Sequence, residues 1–224
     1  MRMRSKKWVK PELDACPYYR DEPAECRGRW AAQFKAQQPI WLELGCGKAV
    51  STAQMAYEHP QINFLAVDVA SVILGVARRN IQARYGDKPV NNIVLTHFDV
   101  FWLDRFMSPP DQADRIIISF CNPWSKRKGQ FKRRLTHPHQ LMLYRKILRP
   151  GGEIYFKTDD DALFDASREY FAACGFAEKY MTRDLHASGF SPNYVSEHER
   201  LFSQQGVPIK FLIAQMVDLP ENAE

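Results

Sequence analysis

The sequence has little with which to staple or anchor itself. Its 224 residues include five cysteines, at 16, 26, 46, 121 and 174, and no two of them form a C-x-x-C. An odd, scattered set excludes a disulfide framework and points to reduced thiols in a cytoplasmic protein. The six histidines lack zinc-ligand spacing, and His137-Pro138-His139 has no cysteine beside it, so no metal is expected. No apolar run approaches the roughly 20 residues that span a bilayer. The basic opening MRMRSKKWVK is followed by no apolar stretch, which argues against a secretory signal. Repeats, low-complexity segments and linkers are missing as well, so one domain is the simplest organisation.

Acid is missing too, but only locally. From Arg115 to Gly152 there is no Asp or Glu and there are ten Lys or Arg, although the net charge of the whole chain is only +5. The first ten residues add Arg2, Arg4, Lys6, Lys7 and Lys10. Trp8, Trp124 and Phe131 lie among these cations, and basic segments interleaved with aromatics are the electrostatic footprint of a nucleic-acid binder.

What is present is a hydrophobic fraction of 45%, arranged in short apolar runs that alternate with helical periodicity. Strands are predicted over 40–44, 62–68, 92–99, 115–121, 153–158, 176–181 and 209–217. Helices are predicted over 49–58, around 72–81, and over 162–174. Leu141, Tyr144 and Leu148 mark one face of a further helix, with Thr136 as its cap and Arg149-Pro150-Gly151-Gly152 as its stop. The alternation implies an α/β domain, residues 39–224, with a mostly parallel seven-stranded sheet and helices on both faces. Residues 1–38 read as a basic arm and a lead-in broken by Pro11, Pro17 and Pro23.

The first strand ends in Glu43-Leu44-Gly45-Cys46-Gly47, where glycines let backbone approach a ligand closely. A dinucleotide G-x-G-x-x-G would need glycine at Val50, and no phosphate-binding lysine motif is present. Glu43, Asp68 and Asp99 each stand at the end of a successive strand. Together they suit a nucleoside with a cationic tail, S-adenosylmethionine. Singly, such an acid is more often a helix cap than a ligand.

The fourth strand ends in Asn122-Pro123-Trp124, with six Lys or Arg in the next ten residues. Trp124 suits a base-stacking surface or a core plug equally. The basic opening, ELGCGKAV, NPWSKRKGQFKRRL, LRPGGEIYFKTDD and SEHERLF together resemble the bacterial tRNA (guanine-N7-)-methyltransferases along nearly the whole chain. That resemblance implies a Rossmann-like class I methyltransferase. It implies methyl transfer from S-adenosylmethionine to guanine N7 in the tRNA variable loop.

It further implies cofactor-binding roles for Glu43, Gly45, Gly47, Asp68, Asp99 and Asn122, and substrate roles for Lys126 and Asp159. Ser196, Glu197, His198 and Glu199 fall on the family's T-x-Y-E motif, with serine for threonine and histidine for tyrosine. Arg127, Lys128, Lys132, Arg133 and Arg134 would hold RNA phosphates. Asn122 stands where the family has its catalytic aspartate, and Ala49 where a glycine is common. Those departures raise one alternative, a tRNA-binding protein of the same fold whose catalysis is weakened or lost. Either a monomer or a homodimer fits the sequence.

Overall fold

A computed structural model describes residues 6–219, so Arg2 and Arg4 lie outside the described residues. The chain forms two compact units. One runs to Asp111 and includes Tyr194–Glu197; the other comprises Gln112–Asn193 and the chain from His198 onward.

The first unit holds α1 (Val9–Asp14), β1 (Tyr19–Arg20), β2 (Ile40–Leu44), α2 (Val50–Glu58), β3 (Asn63–Asp68), α3 (Ser71–Tyr85) and β4 (Ile93–His97). Its strands lie in the order β1-β4-β3-β2, all parallel. Every residue of β3 is buried, as expected of a parallel strand covered on both faces. Leu42, Leu44, Leu65, Leu74 and Ile81 form the centre of its core.

Gly75, inside α3, has a packing reason. A Cβ there would meet the Val9 side chain at 2.9 Å and Trp8 at 3.1 Å. Glycine in a helix costs about 1 kcal/mol relative to alanine; here it lets α1 lie directly against α3. The contact is closed by Trp8, whose ring lies 3.5 Å from the Arg79 guanidinium, and by Glu12, which pairs with Arg78 at 3.0 Å.

The second unit holds β5 (Ala113–Ser119), α4 (Pro138–Ile147), β6 (Leu148–Thr158), α5 (Asp161–Ala173), β7 (Phe176–Thr182), α6 (Glu197–Gln204, less its first residue) and β8 (Lys210–Met216). The strand order is β5-β6-β8-β7. β5 and β6 are parallel, and β8 runs antiparallel to both of its neighbours. Phe156, Phe164 and Phe171 pack together in its core, and Phe211 meets Tyr155, Tyr180 and Phe190.

Three expectations are corrected. Eight strands are described, four in each unit, rather than seven; the extra one, β1, is two residues long and carries no readable periodicity. The helix does end before Arg149-Pro150-Gly151-Gly152, at Ile147, but the next strand starts at Leu148 rather than at 153, so the run lies within β6 as an irregularity across which β5 advances two residues and β6 five. Thr136 does not cap α4. His137 does, its Nδ1 accepting the His139 N–H, while Thr136 is buried and shares a hydrogen bond with Ser167 at 2.6 Å.

Candidate functional site

In the first unit the chain leaves β2 through a turn in which Gly45, Gly47 and Ala49 all have positive φ, at 82°, 54° and 52°. Nothing lies within 4 Å of where a Cβ would stand at Gly45 or Gly47. The glycines are therefore needed for conformation, and the space over them is open to a ligand. The turn is fastened to the end of β3. Gly45 N–H and Cys46 N–H both donate to the Val67 carbonyl at 2.9 Å, and Gly47 N–H donates to Asp68 Oδ2 at 3.0 Å.

Asp68 also accepts the Ala70 N–H at 2.9 Å and is 9% exposed. Burial pushes its pKa up, against the pull of backbone N–H donors at Ala70, Gly47 and Val69. Three backbone donors leave about one of the carboxylate's roughly four acceptor positions for a hydroxyl donor. Glu43 is 2% exposed and accepts from Thr52 Oγ1, so α2 holds its carboxylate. Asp99 stands two residues beyond the end of β4 rather than closing it. It is exposed, and Oδ1 caps the Phe101 N–H at 3.0 Å. Open backbone over two glycines, with acceptor carboxylates at the ends of adjacent strands, fits the ribose and adenine of S-adenosylmethionine. The turn's Lys48, which is not among the ligand contacts named above, pairs with Glu197 at 2.7 Å.

In the second unit, β5 ends in a strained turn. Phe120 and Trp124, neither of them glycine, have φ of 54° and 50°. Such residues cost of order 1–3 kcal/mol each, and persist only where their surroundings fix them. Asn122 Oδ1 accepts the Trp124 N–H at 2.9 Å, and Arg134 Nε donates to the Pro123 carbonyl at 2.8 Å. Arg134 is 4% exposed, its guanidinium 3.9 Å from the Phe131 ring centroid. It faces inward and holds the turn, which argues against the phosphate contact expected of it. Lys126, Arg127, Lys128, Lys132 and Arg133 are exposed.

The Asp159-Asp160-Asp161 run divides its tasks. Asp160 caps α5 through the Leu163 N–H at 2.7 Å, and Asp161 pairs with Arg183 and with Lys210. The Asp159 carboxylate makes no hydrogen bond or ion pair among the described residues, which leaves it available to a substrate. His198 is exposed and stacks on Phe120 at 6.2 Å, and Phe202 stacks on the same ring at 6.1 Å. Ser196 is half-buried.

Glu199 is wholly buried. Its Oε1 accepts from Asn193 Nδ2 at 2.7 Å and lies 3.2 Å from His186 Nε2; its Oε2 accepts from Lys157 Nζ at 3.1 Å. Lys157, Asn193 and His186 had no assigned role from the sequence. The one signal was a lysine set between buried residues near the end of β6.

All five cysteines are free thiols, and burial raises the pKa of each, Cys121 to about 12. Among the described residues no group of three or more His, Cys, Asp or Glu is arranged to hold a metal ion, and no helix is long and apolar enough to cross a membrane.

A family model described as "Putative methyltransferase" matches residues 37–212. A tRNA (guanine-N(7)-)-methyltransferase of Clostridium perfringens is 49% identical over 96% of this chain and 99% of its own. Proteins of the same name from Acetivibrio thermocellus and Clostridium acetobutylicum are 45% and 41% identical, each over 96% of this chain and at least 99% of their own. Among solved structures, a methyltransferase from Pyrococcus furiosus covers 84% of this chain and 80% of its own at a TM-score of 0.55 and 17% identity. The 16S rRNA methyltransferase KamB covers 81% and 89% at 0.57 and 10% identity. These structural likenesses show the Rossmann-like α/β fold.

Proposed function

The chain belongs to the tRNA (guanine-N(7)-)-methyltransferase family, and from that premise we propose that it methylates N7 of a guanosine in the tRNA variable loop. The observation that carries this is the identity of 49% sustained over 96% of the chain. S-adenosylmethionine, when bound, would supply an electrophilic sulfonium methyl and a neutral thioether as leaving group. Guanine N7 has an in-plane lone pair and no proton, so no side chain need act as a base. The chain's contribution is orientation.

Asp68 is suited to accept from ribose hydroxyls, and the backbone at Gly45 and Gly47 to a close approach. Glu43 and Asp99 offer further acceptors. In the second unit Lys126 and the unpaired Asp159 carboxylate are suited to the target nucleotide, and Arg127, Lys128, Lys132 and Arg133 to phosphates, which position without reading sequence. Ser196, Glu197, His198 and Glu199 remain proposed substrate-motif residues. Glu199 does so through the side chains it holds, and Glu197 with Lys48 as its partner. Five free thiols support a cytoplasmic location.

A binding protein without catalysis is disfavoured, because relatives at 41–49% identity are named as methyltransferases. The test is incubation with methyl-labelled S-adenosylmethionine and unmodified tRNA, followed by nucleoside mapping. Label is expected in 7-methylguanosine of the variable loop. Bound tRNA and bound cofactor without label would overturn the activity.

A further inference from the structure

Asn122 is exposed, and its side chain makes one hydrogen bond among the described residues, accepting the Trp124 N–H through Oδ1. That bond fixes the two ends of the amide. Only the oxygen can accept from a backbone N–H, so Nδ2 with its two donor hydrogens is the end left for a ligand. The turn around it is stiff: Pro123 fixes φ, Arg134 holds the Pro123 carbonyl, and the left-handed Phe120 and Trp124 flank it.

Aspartate in the same turn would also accept the Trp124 N–H, since both residues favour this local bond. It would then present a second acceptor oxygen instead of a donor. Replacing aspartate by asparagine therefore reverses the sense of the hydrogen bond offered, rather than weakening it.

Guanine carries acceptors, N7 and O6, on one edge and donors, N1–H and the 2-amino group, on another. An outward donor pairs with the first edge. Resting on the guanine-N7 reading above, we propose that Asn122 reads the target base by donating from Nδ2 to guanine O6, where an aspartate would accept from N1–H and the 2-amino group. The same donor rejects adenine, which has an amine at that position. Methylation makes the ring cationic and O6 a poorer acceptor, so the contact is stronger in the substrate complex than in the transition state. Its loss falls on KM more than on kcat.

The experiment uses tRNA transcripts with one of three nucleosides at the methylated position. Guanosine is the reference. Inosine lacks the 2-amino group and keeps O6; 6-thioguanosine replaces O6 by a weak acceptor and keeps both donors. For the wild-type protein inosine is expected within about threefold of guanosine in kcat/KM, and 6-thioguanosine about tenfold lower, chiefly in KM, the size of one lost specific hydrogen bond. Asn122→Asp is expected to reverse the order, with inosine the poor substrate and 6-thioguanosine recovered relative to guanosine. That recovery separates a lost hydrogen bond from the extra bulk of sulfur. Equal use of 6-thioguanosine and guanosine by the wild type overturns the proposal, and so does an order that Asn122→Asp leaves unchanged. No transfer to guanosine itself overturns the guanine-N7 reading and this inference together.

Discussion

Asp68 is the residue whose chemistry the fold alters most legibly. Burial raises its pKa, so in the folded protein the neutral form persists to higher pH than in the unfolded chain. The sign follows: relative stability from this group is present below the ordinary carboxylate range and is lost as pH rises through the raised value. Hydroxyl donors from a ribose act the other way and favour the ionised form. Binding of S-adenosylhomocysteine, measured by calorimetry, is therefore expected to weaken as pH falls below the raised Asp68 pKa. Asp68→Asn should flatten that profile and cost about 1.5–3 kcal/mol at neutral pH, the range for a hydrogen bond to a charged group. A profile identical in both proteins would remove Asp68 from the ligand's contacts.

Ala49 shows the opposite balance. A left-handed alanine costs roughly 1–2 kcal/mol, but its methyl is 1% exposed, and a buried methyl is worth about 0.8 kcal/mol. Glycine would also lose more backbone entropy on folding. Ala49→Gly should change stability by less than about 1 kcal/mol in urea unfolding. That near-cancellation accounts for an alanine being tolerated at a left-handed position.

At the scale of elements, the buried Glu199 is the point on which α6, the end of β6 and the segment carrying Asn193 converge. Removing one member of such a set leaves a charge without its partner. Lys157→Met is expected to destabilise by about 3–5 kcal/mol, and adding Glu199→Gln to recover a measurable part, because the stranded charge is then gone. Urea midpoints of the two single variants and the double variant decide it; strict additivity would mean that the pair is not coupled.

None of this was legible in the sequence, where Lys157 and Glu199 stand 42 residues apart and His186 sits in irregular chain. The elements themselves were legible where apolar periodicity was strong. Ile40–Leu44 matches to the residue, and Val50–Glu58 and Asp161–Ala173 to within one at each end. The misses were local chemistry without periodicity: the two residues of β1, the irregular start of β6, and the cap of α4. Glu43 and Asp68 stand at strand ends as position suggested, while Asp99 stands two residues beyond β4. Asp159 is left with neither a hydrogen bond nor an ion pair to its carboxylate among the described residues because Asp160 caps α5 and Asp161 takes Lys210 and Arg183, which sequence spacing does not bring near.

Over the whole molecule, charge is what the sequence announced most clearly, since the stretch from Arg115 to Gly152 lacks any acid. The structure divides those cations by task. Arg127→Ala and Lys132→Ala are expected to weaken tRNA binding across sequences, each reducing the slope of log affinity against log salt by about 0.7–0.9. Arg134→Ala should leave that slope nearly unchanged and lower methyl transfer instead, through the turn that carries Asn122. Filter binding at several salt concentrations separates the two classes, and an equal loss of slope at Arg134 would return it to the phosphate contacts.

The five thiols have a practical consequence. Four are buried, Cys121 is half-buried, and burial raises the pKa of each, so the native protein should consume an aromatic disulfide reagent only slowly at neutral pH, and all five equivalents once urea unfolds it. A cysteine introduced at an exposed position such as Gly129 would then be the one fast-reacting handle on the surface. A dye attached there would report on tRNA docking without any native cysteine having to be removed.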